Sequence, residues 1–372
     1  MKPQPTVIAI EGGPCSGKTT LMKRLLETEG ERQVVCLPEA ATEHILSLAD
    51  KGVDVSYIEQ HDRPAWVEFE TAVLGTIVHD IENAMKLYAD TDAIIVIDRC
   101  DIGAYVTEAE YKQIQTELGL SMAPMLSHVD QVYYLPSVAS IDPAIYHREQ
   151  ANNPARLEPL EKAQAVCGRN LQAVGRHPEL HIAWGGEFQE TIDGLVQHIL
   201  KPELESEIKV KPITDEVSLD RFLGSGTLVS ASAIEQTYHE LDNTVYRLRR
   251  TMTERGEELY FFTVKTGQGR ERHEVQRRID GETYRLLRRS QQVGEPLLKE
   301  RMMVLTQDNG TMKRAWALDR YHDRRLPEWN IETDVRSDDE ASRVLASLPE
   351  FVPAQASAEQ LARQLGAYVM RV

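Results

Sequence analysis

Residues 11–20 read EGGPCSGKTT, overlapping the end of the apolar run TVIAIEG at 6–12. Three glycines and a proline between a strand-like run and a lysine leave few folds open. Gly12-x-x-x-x-Gly17-Lys18-Thr19 has the spacing of a loop whose glycines let main-chain N–H groups turn inward on a phosphate chain, with a helix N-terminus behind them. Gly12, Gly13, Pro14, Cys15, Ser16, Gly17 and Thr20 make the cradle. Lys18 adds a mobile charge for β- and γ-phosphates, and the Thr19 hydroxyl is placed to ligate Mg²⁺.

The first 200 residues repeat the alternation that such a loop requires. Short apolar runs at 6–12, 33–39, 92–99, 131–136 and 179–185 are separated by helical segments, among them 18–29 and 64–89. Runs of this kind predict a parallel sheet covered on both faces. Asp98 ends AIIVID and is the expected second holder of Mg²⁺, at the tip of a neighbouring strand. Glu39, in LPEAAT at the end of the second run, opens onto the same crevice, where it would position a phosphoryl acceptor or act as a base. Arg148 and Arg156, in YHREQANNPARLEPLEKA, are candidates for a lid that meets the transferring phosphoryl group.

After Lys201-Pro202 the period becomes two. ELESEIKV, NTVYRLRRTM, ELYFFTVKTG, RHEVQRRI, LLKERMMVLTQ, KRAWALDRY and WNIETDV all read as strands, with glycine-bearing turns between several of them. Helical pieces are expected at about 217–223, 281–290, 337–346 and 357–369. The reading is therefore two domains, 1–202 and 203–372, an α/β unit followed by a β unit. Within the second, charges recur at i, i+2 on strand after strand: Glu205, Glu207 and Lys209; Arg247 and Arg249; Arg272 and Glu274; Lys299 and Arg301; Glu332 and Asp334; with Lys265 near the end of an aromatic strand. Side chains two apart share one face. A solvated outer face is one account. The other turns the charges inward, where Glu205, Glu207, Glu332 and Asp334 would hold Mg²⁺ or Mn²⁺ through oxygen, and the lysines and arginines would clamp phosphates.

Composition narrows the partners. The 372 residues carry 42 Lys and Arg against 59 Asp and Glu, a formal net charge of −17. That argues against non-specific binding of nucleic acid or of a membrane by the whole surface. More than half of the basic residues lie after 202, so the acidic excess belongs to the first half. No apolar run reaches the length of a membrane span, no secretory signal pattern opens the sequence, and the four cysteines lack paired metal spacing. The expectation is a cytoplasmic protein with reduced thiols.

GGPCSGKTT, LPEAAT, IVIDRCDIGAY and NNPARLE together resemble the nucleoside- and nucleotide-kinase-like P-loop proteins related to the nicotinamide riboside kinase domain, over most of 1–200. That resemblance implies ATP or GTP as ligand. Glu205-x-Glu207-x-Lys209 resembles the opening of the CYTH, or triphosphate tunnel metalloenzyme, superfamily. IEQTYHE, VYRLRRT, FTVKTG, RHEVQRRI and LLKERMMVL follow in the family's order. The resemblance implies an antiparallel eight-stranded tunnel with flanking helices that binds or cleaves triphosphate compounds. It also makes Asp319, in WALDRY, and Glu274 metal-site acids. Gln276 stands where a second acid often follows Glu274, and the tail at 347–365 lacks the family's closing acidic strand. The domain order resembles the TRP translocation defect type, whose members are linked to GTP and phosphatidic acid.

Three readings of function follow. In the first, a P-loop ATPase, GTPase or kinase-like domain works beside a metal-dependent tunnel that hydrolyses inorganic or organic triphosphate. In the second, a nucleotide switch is joined to a sensor of polyanions or phospholipid headgroups. In the third, a small-molecule kinase is regulated by the tunnel.

Overall fold

A computed structural model describes residues 3–152, 159–183, 188–200, 207–210, 226–241, 244–266, 273–308, 311–322 and 329–334. The chain divides into two compact units, Met1–Leu200 and Lys201–Val372. Arg156, Glu205 and Arg272 lie outside the described residues, as do the helical pieces expected at 217–223, 337–346 and 357–369.

The first unit is built on five parallel strands, β1 (Thr6–Glu11), β2 (Val34–Cys36), β3 (Ile94–Asp98), β4 (Gln131–Tyr134) and β5 (Leu180–Ile182), in the order β2-β3-β1-β4-β5. Val7, Ile8, Ala9 and Ile10 on the central strand have no solvent exposure, so both faces are covered, as continuous rather than alternating apolar runs require. Helix α1 (Lys18–Glu27) leaves the loop after β1. Its buried Leu21 and Leu25 share one core with Ile8, Ile10, Ile94, Val96, and Ile192, Leu195 and Val196 of the helix Phe188–Leu200.

Chain order names the remaining helices of this unit α2 (Ala40–Ala49), α3 (Val55–His61), α4 (Arg63–Leu87), α5 (Glu108–Glu117), α6 (Pro124–His128), α7 (Val138–Ile141), α8 (Pro143–Asn152), α9 (Leu160–Val174) and α10 (Phe188–Leu200). The longest, α4, starts where the Asp62 side chain accepts from Ala65 N and Pro64 occupies the first turn. It buries Trp66, Phe69, Val73, Leu74, Ile77 and Ile81 at helical spacing, together with one charge, Glu70. No helix among the described residues is long and apolar enough to cross a membrane.

The second unit is one antiparallel sheet of eight strands among the described residues. These are β6 (Glu207–Val210), β7 (Gly226–Leu241), β8 (Thr244–Thr253), β9 (Glu258–Thr266), β10 (His273–Ile279), β11 (Gln291–Asp308), β12 (Thr311–Tyr321) and β13 (Trp329–Asp334). Their order is β10-β9-β8-β7-β11-β12-β13-β6. Where long β7 and β11 pair, the register shifts twice, between Val293/Leu297 and Met303/Val304. Such irregularities bend strands and raise twist, which curls a sheet. Helix α11 (Gly281–Leu287), capped by Asp280, covers one face: Tyr284 and Leu287 pack with Tyr246, Leu248, Tyr260, Phe262 and Val264.

Candidate functional site: a glycine loop and an ionic sheet face

The loop between β1 and α1 has the backbone its sequence demands. Gly12 and Gly17 sit at φ 146° and 92°, where a β-carbon is strained, and Cys15 joins them at φ 59°. A β-carbon on Gly12 would lie 2.2 Å from the Leu135 carbonyl oxygen, and one on Gly13 would lie 2.2 Å from Cys167 Sγ. The loop is also fastened from the β4 side. The Leu135 amide donates to the Glu11 carbonyl at 2.8 Å, and the Ser137 hydroxyl donates to the carbonyl of Pro14. Gly17 caps α1 with no side-chain bond, so the cap supplies no side-chain acceptor to the first-turn N–H groups.

Lys18 Nζ donates to the Gly12 carbonyl at 2.8 Å and lies 4.0 Å from Asp98 Oδ1. This meeting follows from topology: β3 is the neighbour of β1, with Ile10 opposite Asp98. Asp98 Oδ1 is buried and has no hydrogen-bond partner. Burial pushes its carboxyl up to about 6 against the pull of Lys18, while Glu39 and Glu11 push the same way as burial. An anionic oxygen so placed fits a divalent cation. Thr19, exposed in the first turn of α1, is the hydroxyl on the same loop. Glu39 is the residue before α2 and accepts from Thr42 Oγ1 at 2.7 Å. Arg148 is exposed on α8.

Several residues of this site were not legible in the sequence. Arg99, at φ 70°, turns back to reach Glu70 Oε2 at 2.5 Å and lies 4.0 Å from the Tyr105 ring centroid. Glu11 accepts from the Cys100 amide at 2.6 Å and from Asn170 Nδ2 at 3.1 Å. Asp101 accepts from Tyr111 OH and the Gly103 amide. Arg99 and Asp101 lie in the run IVIDRCDIGAY beside Asp98, but nothing local pointed to Glu70 or Asn170. No disulfide joins any of the four cysteines, and burial pushes the Cys100 and Cys167 thiols up.

In the second unit the register decides which way the charges face. Residues directly opposite in an antiparallel pair share a face. Glu274 pairs Lys265, Thr263 pairs both Gln276 and Arg247, and Arg249 pairs Phe261 and Gln236. Lys299 pairs Ile234 and Tyr321, Arg301 pairs Ser232 and Asp319, and Asp319 pairs Asn330. Glu332 pairs Lys209, and Asp334 pairs Glu207. One face of the sheet thus carries every expected charge within the described residues, from Glu274 on β10 to Glu207 on β6. The opposite face carries Leu248, Tyr246, Phe262 and Val264 beneath α11. Glu207, Lys209, Lys265 and Asp334 are placed here by backbone register.

The described side chains of that face form a buried ionic network. Asp319, fully buried, accepts from Lys299 Nζ at 2.5 Å and from Arg301 Nε and Nη2 at 2.7 and 2.8 Å. Arg301 also reaches Glu332 Oε2 at 2.7 Å. Despite burial, the two cations hold the Asp319 carboxyl below its usual range, and burial together with Arg301 pulls Lys299 down to about 8. Arg247 donates to Glu274 Oε1 at 2.8 Å and to Gln276 Oε1 at 3.3 Å. Arg249 is buried with its guanidinium 4.3 Å from the Phe261 ring centroid. Asp319 and Glu274, expected as metal ligands, are thus ion-paired. Among the described residues no group of three or more His, Cys, Asp and Glu is arranged to hold a metal.

Residues 7–190 match the family model described as an AAA domain. A search of curated proteins finds no match. Solved structures similar to the chain include the PH1819 protein from Pyrococcus horikoshii OT3, with 19% identity, TM-score 0.30, and 43% of this chain and 90% of that one covered. The inorganic triphosphatase NE1496 is similar at 21% identity and TM-score 0.26, over 42% of this chain and 97% of that one. A Hippeastrum protein described as having a dominant triphosphatase activity is similar at 12% identity and TM-score 0.28, over 42% of this chain and 94% of that one.

Proposed function

We propose that this chain handles condensed phosphates at two places. A nucleoside triphosphate, ATP or GTP, binds with Mg²⁺ on the loop of the first unit, which cleaves or transfers its γ-phosphoryl group. A linear triphosphate binds on the ionic face of the second unit and is hydrolysed with Mg²⁺ or Mn²⁺. The observation that carries the reading is the loop itself: two positive-φ glycines, a helix N-terminus, and Lys18 poised between the loop carbonyl and Asp98. The AAA-domain match over the same residues supports it.

In the first unit the loop amides and Lys18 would bind the phosphates, and Thr19 and Asp98 would hold the ion. Mg²⁺, when bound, supplies charge neutralisation at the β- and γ-oxygens. Glu39 orients an attacking hydroxyl or water, and Arg148 and Arg156 meet the moving phosphoryl group. In the second unit Lys209, Arg247, Arg249, Lys265, Arg272, Lys299 and Arg301 clamp the triphosphate. Carboxylates at Glu205, Glu207, Glu332 and Asp334 hold the ion and orient water toward a terminal phosphorus. Most of the rate would come from fixed positive charge around the leaving phosphate.

The pairing of Asp319, Glu332 and Glu274 with Lys299, Arg301 and Arg247 favours a second reading of that face. Carboxylates already neutralised by cations suit a polyanion sensor, for polyphosphate or a phospholipid headgroup, that binds without cleaving. Phosphate release from tripolyphosphate and from MgATP or MgGTP, in wild type, Lys18→Ala and Glu207→Ala, separates them. Tripolyphosphate turnover lost only in Glu207→Ala supports the hydrolase. Binding of tripolyphosphate without turnover selects the sensor. Nucleotide binding as tight in Lys18→Ala as in wild type discards the loop assignment.

A further inference from the structure

The phosphate end of the loop does not by itself tell a nucleotide from a bare polyphosphate. The sheet gives the site a direction. On one side of β1 lies β3 with Asp98, and beyond it β2, which leads to Glu39. On the other side lie β4 and β5, and α10 follows β5. Lys18 within 4.0 Å of Asp98 marks the γ-phosphate end. A nucleotide seated there runs its α-phosphate, ribose and base away from Asp98, toward α10.

Gly17 is the loop residue that meets that side. A β-carbon built on it would lie 2.6 and 2.9 Å from Cε2 and Cζ of Phe188, and 3.6 Å from Ile192 Cδ1. The edge of the Phe188 ring therefore rests against the last turn of the loop. Phe188 nonetheless keeps 50% of its surface exposed at the start of α10. The helix that carries it is anchored to α1. Ile192, Leu195 and Val196 share the core of Leu21 and Leu25, and Arg24 Nε donates to Asp193 Oδ1 at 3.2 Å across α1 and α10. An aromatic ring whose edge meets the loop and half of whose surface stays exposed has the makings of a stacking surface.

We propose that Phe188 is the platform on which the nucleobase of the bound nucleotide stacks. The inference rests on the loop being a nucleotide site and names what that site selects. Every base has a π-face, so the platform favours nucleotides over inorganic condensed phosphates rather than one base over another. Base–aromatic stacking corresponds to about a five- to 150-fold change in affinity when the ring is removed.

The test is calorimetric titration of the full-length chain with MgADP, MgGDP and Mg-pyrophosphate, in wild type, Lys18→Ala, Phe188→Ala, Phe188→Leu and Phe188→Tyr. Phe188→Leu retains apolar packing against Gly17 without a π-face, and Phe188→Tyr retains the ring. Expected are loss of both nucleotides by that factor in the Ala and Leu variants, near-wild-type binding in Tyr, and pyrophosphate unchanged within about twofold. Equal weakening of nucleotides and pyrophosphate would show a packing role and overturn the proposal. So would nucleotide binding that depends on Lys18 yet is unaffected in both Phe188→Ala and Phe188→Leu. Wild-type binding that Lys18→Ala leaves intact, or no nucleotide binding in wild type, removes the loop assignment and the platform with it.

Discussion

Arg99 Nη2 and Glu70 Oε2 meet at 2.5 Å, both buried, one residue along the chain from Asp98. Arg99 holds a left-handed backbone to make that contact, its guanidinium lies 4.0 Å from the Tyr105 ring centroid, and its Nε donates to the Asp101 carbonyl. The pair therefore ties α4 to the tip of the strand that carries the candidate metal carboxylate. Removing one partner of a buried ion pair strands the other charge and costs about 3–5 kcal/mol. Glu70→Gln should lower the stability of the first unit by that order, read as a fall in its thermal midpoint and in its denaturant midpoint.

Lys18 is the one charged residue within 12–20, and the proposed role has it bind the phosphate chain. A hydrogen bond to a charged group contributes about 1.5–3 kcal/mol. Lys18→Ala should weaken MgATP or MgGTP binding by roughly ten- to 150-fold, with the melting temperature of the nucleotide-free protein little changed. Equilibrium dialysis and thermal melts of the same preparation read the two quantities.

Gly13 faces Cys167 Sγ so closely that an added methyl group has no room, its β-carbon falling 2.2 Å from the sulfur. Cys167 Cβ, in contrast, would be 3.5 Å away, an ordinary contact. Gly13→Ala should destabilise the loop and weaken nucleotide binding. The double variant with Cys167→Ala should recover most of both, because it removes the clashing atom alone. Non-additivity of this kind is expected of residues in contact.

Arg301 bridges Asp319 and Glu332. Arg301→Ala leaves fully buried Asp319 with Lys299 alone and should destabilise the second unit by about 3–5 kcal/mol. Arg301→Lys keeps the charge but cannot hold both oxygens of Asp319 and a second carboxylate at once. It should fall between wild type and Arg301→Ala in urea denaturation.

Glu110 closes the capping box of α5 with Thr107 and accepts from Arg63 Nε and Nη2 at 2.8 and 2.5 Å. Those hydrogen bonds, Arg63 first, hold its carboxyl down to about 2. A depressed carboxylate stabilises the fold above its unfolded value and loses that contribution as pH falls through the folded one. Because Arg63 is largely solvated, the effect is only about 1 kcal/mol. Glu110→Gln should melt below wild type at pH 7, with the gap closing between about pH 4.5 and pH 2.

What was legible in the sequence is what depends on near neighbours along the chain. The strand, glycine loop and helix over 6–27 follow from φ requirements and apolar runs that act within a few residues. The i, i+2 charge pairs follow from the two-residue repeat of a strand, which places Arg247 with Arg249, and Lys299 with Arg301, on one face. The repeat leaves open which face that is. Only the register does this, by setting Arg301 opposite Asp319 and sending Leu248 and Phe262 under α11.

The sequence by itself settled the local backbone of the loop and the kinds of charge available to both units, since torsion preferences and side-chain chemistry are properties of short stretches. Tertiary structure alone decided that β3 lies beside β1, so that Lys18 meets Asp98. It also decided that Glu70 receives Arg99 and that Phe188 comes to rest on Gly17. Those meetings join residues far apart in the chain. They depend on strand order and helix packing, which minimise buried unpaired charge and exposed apolar surface over a whole unit at once.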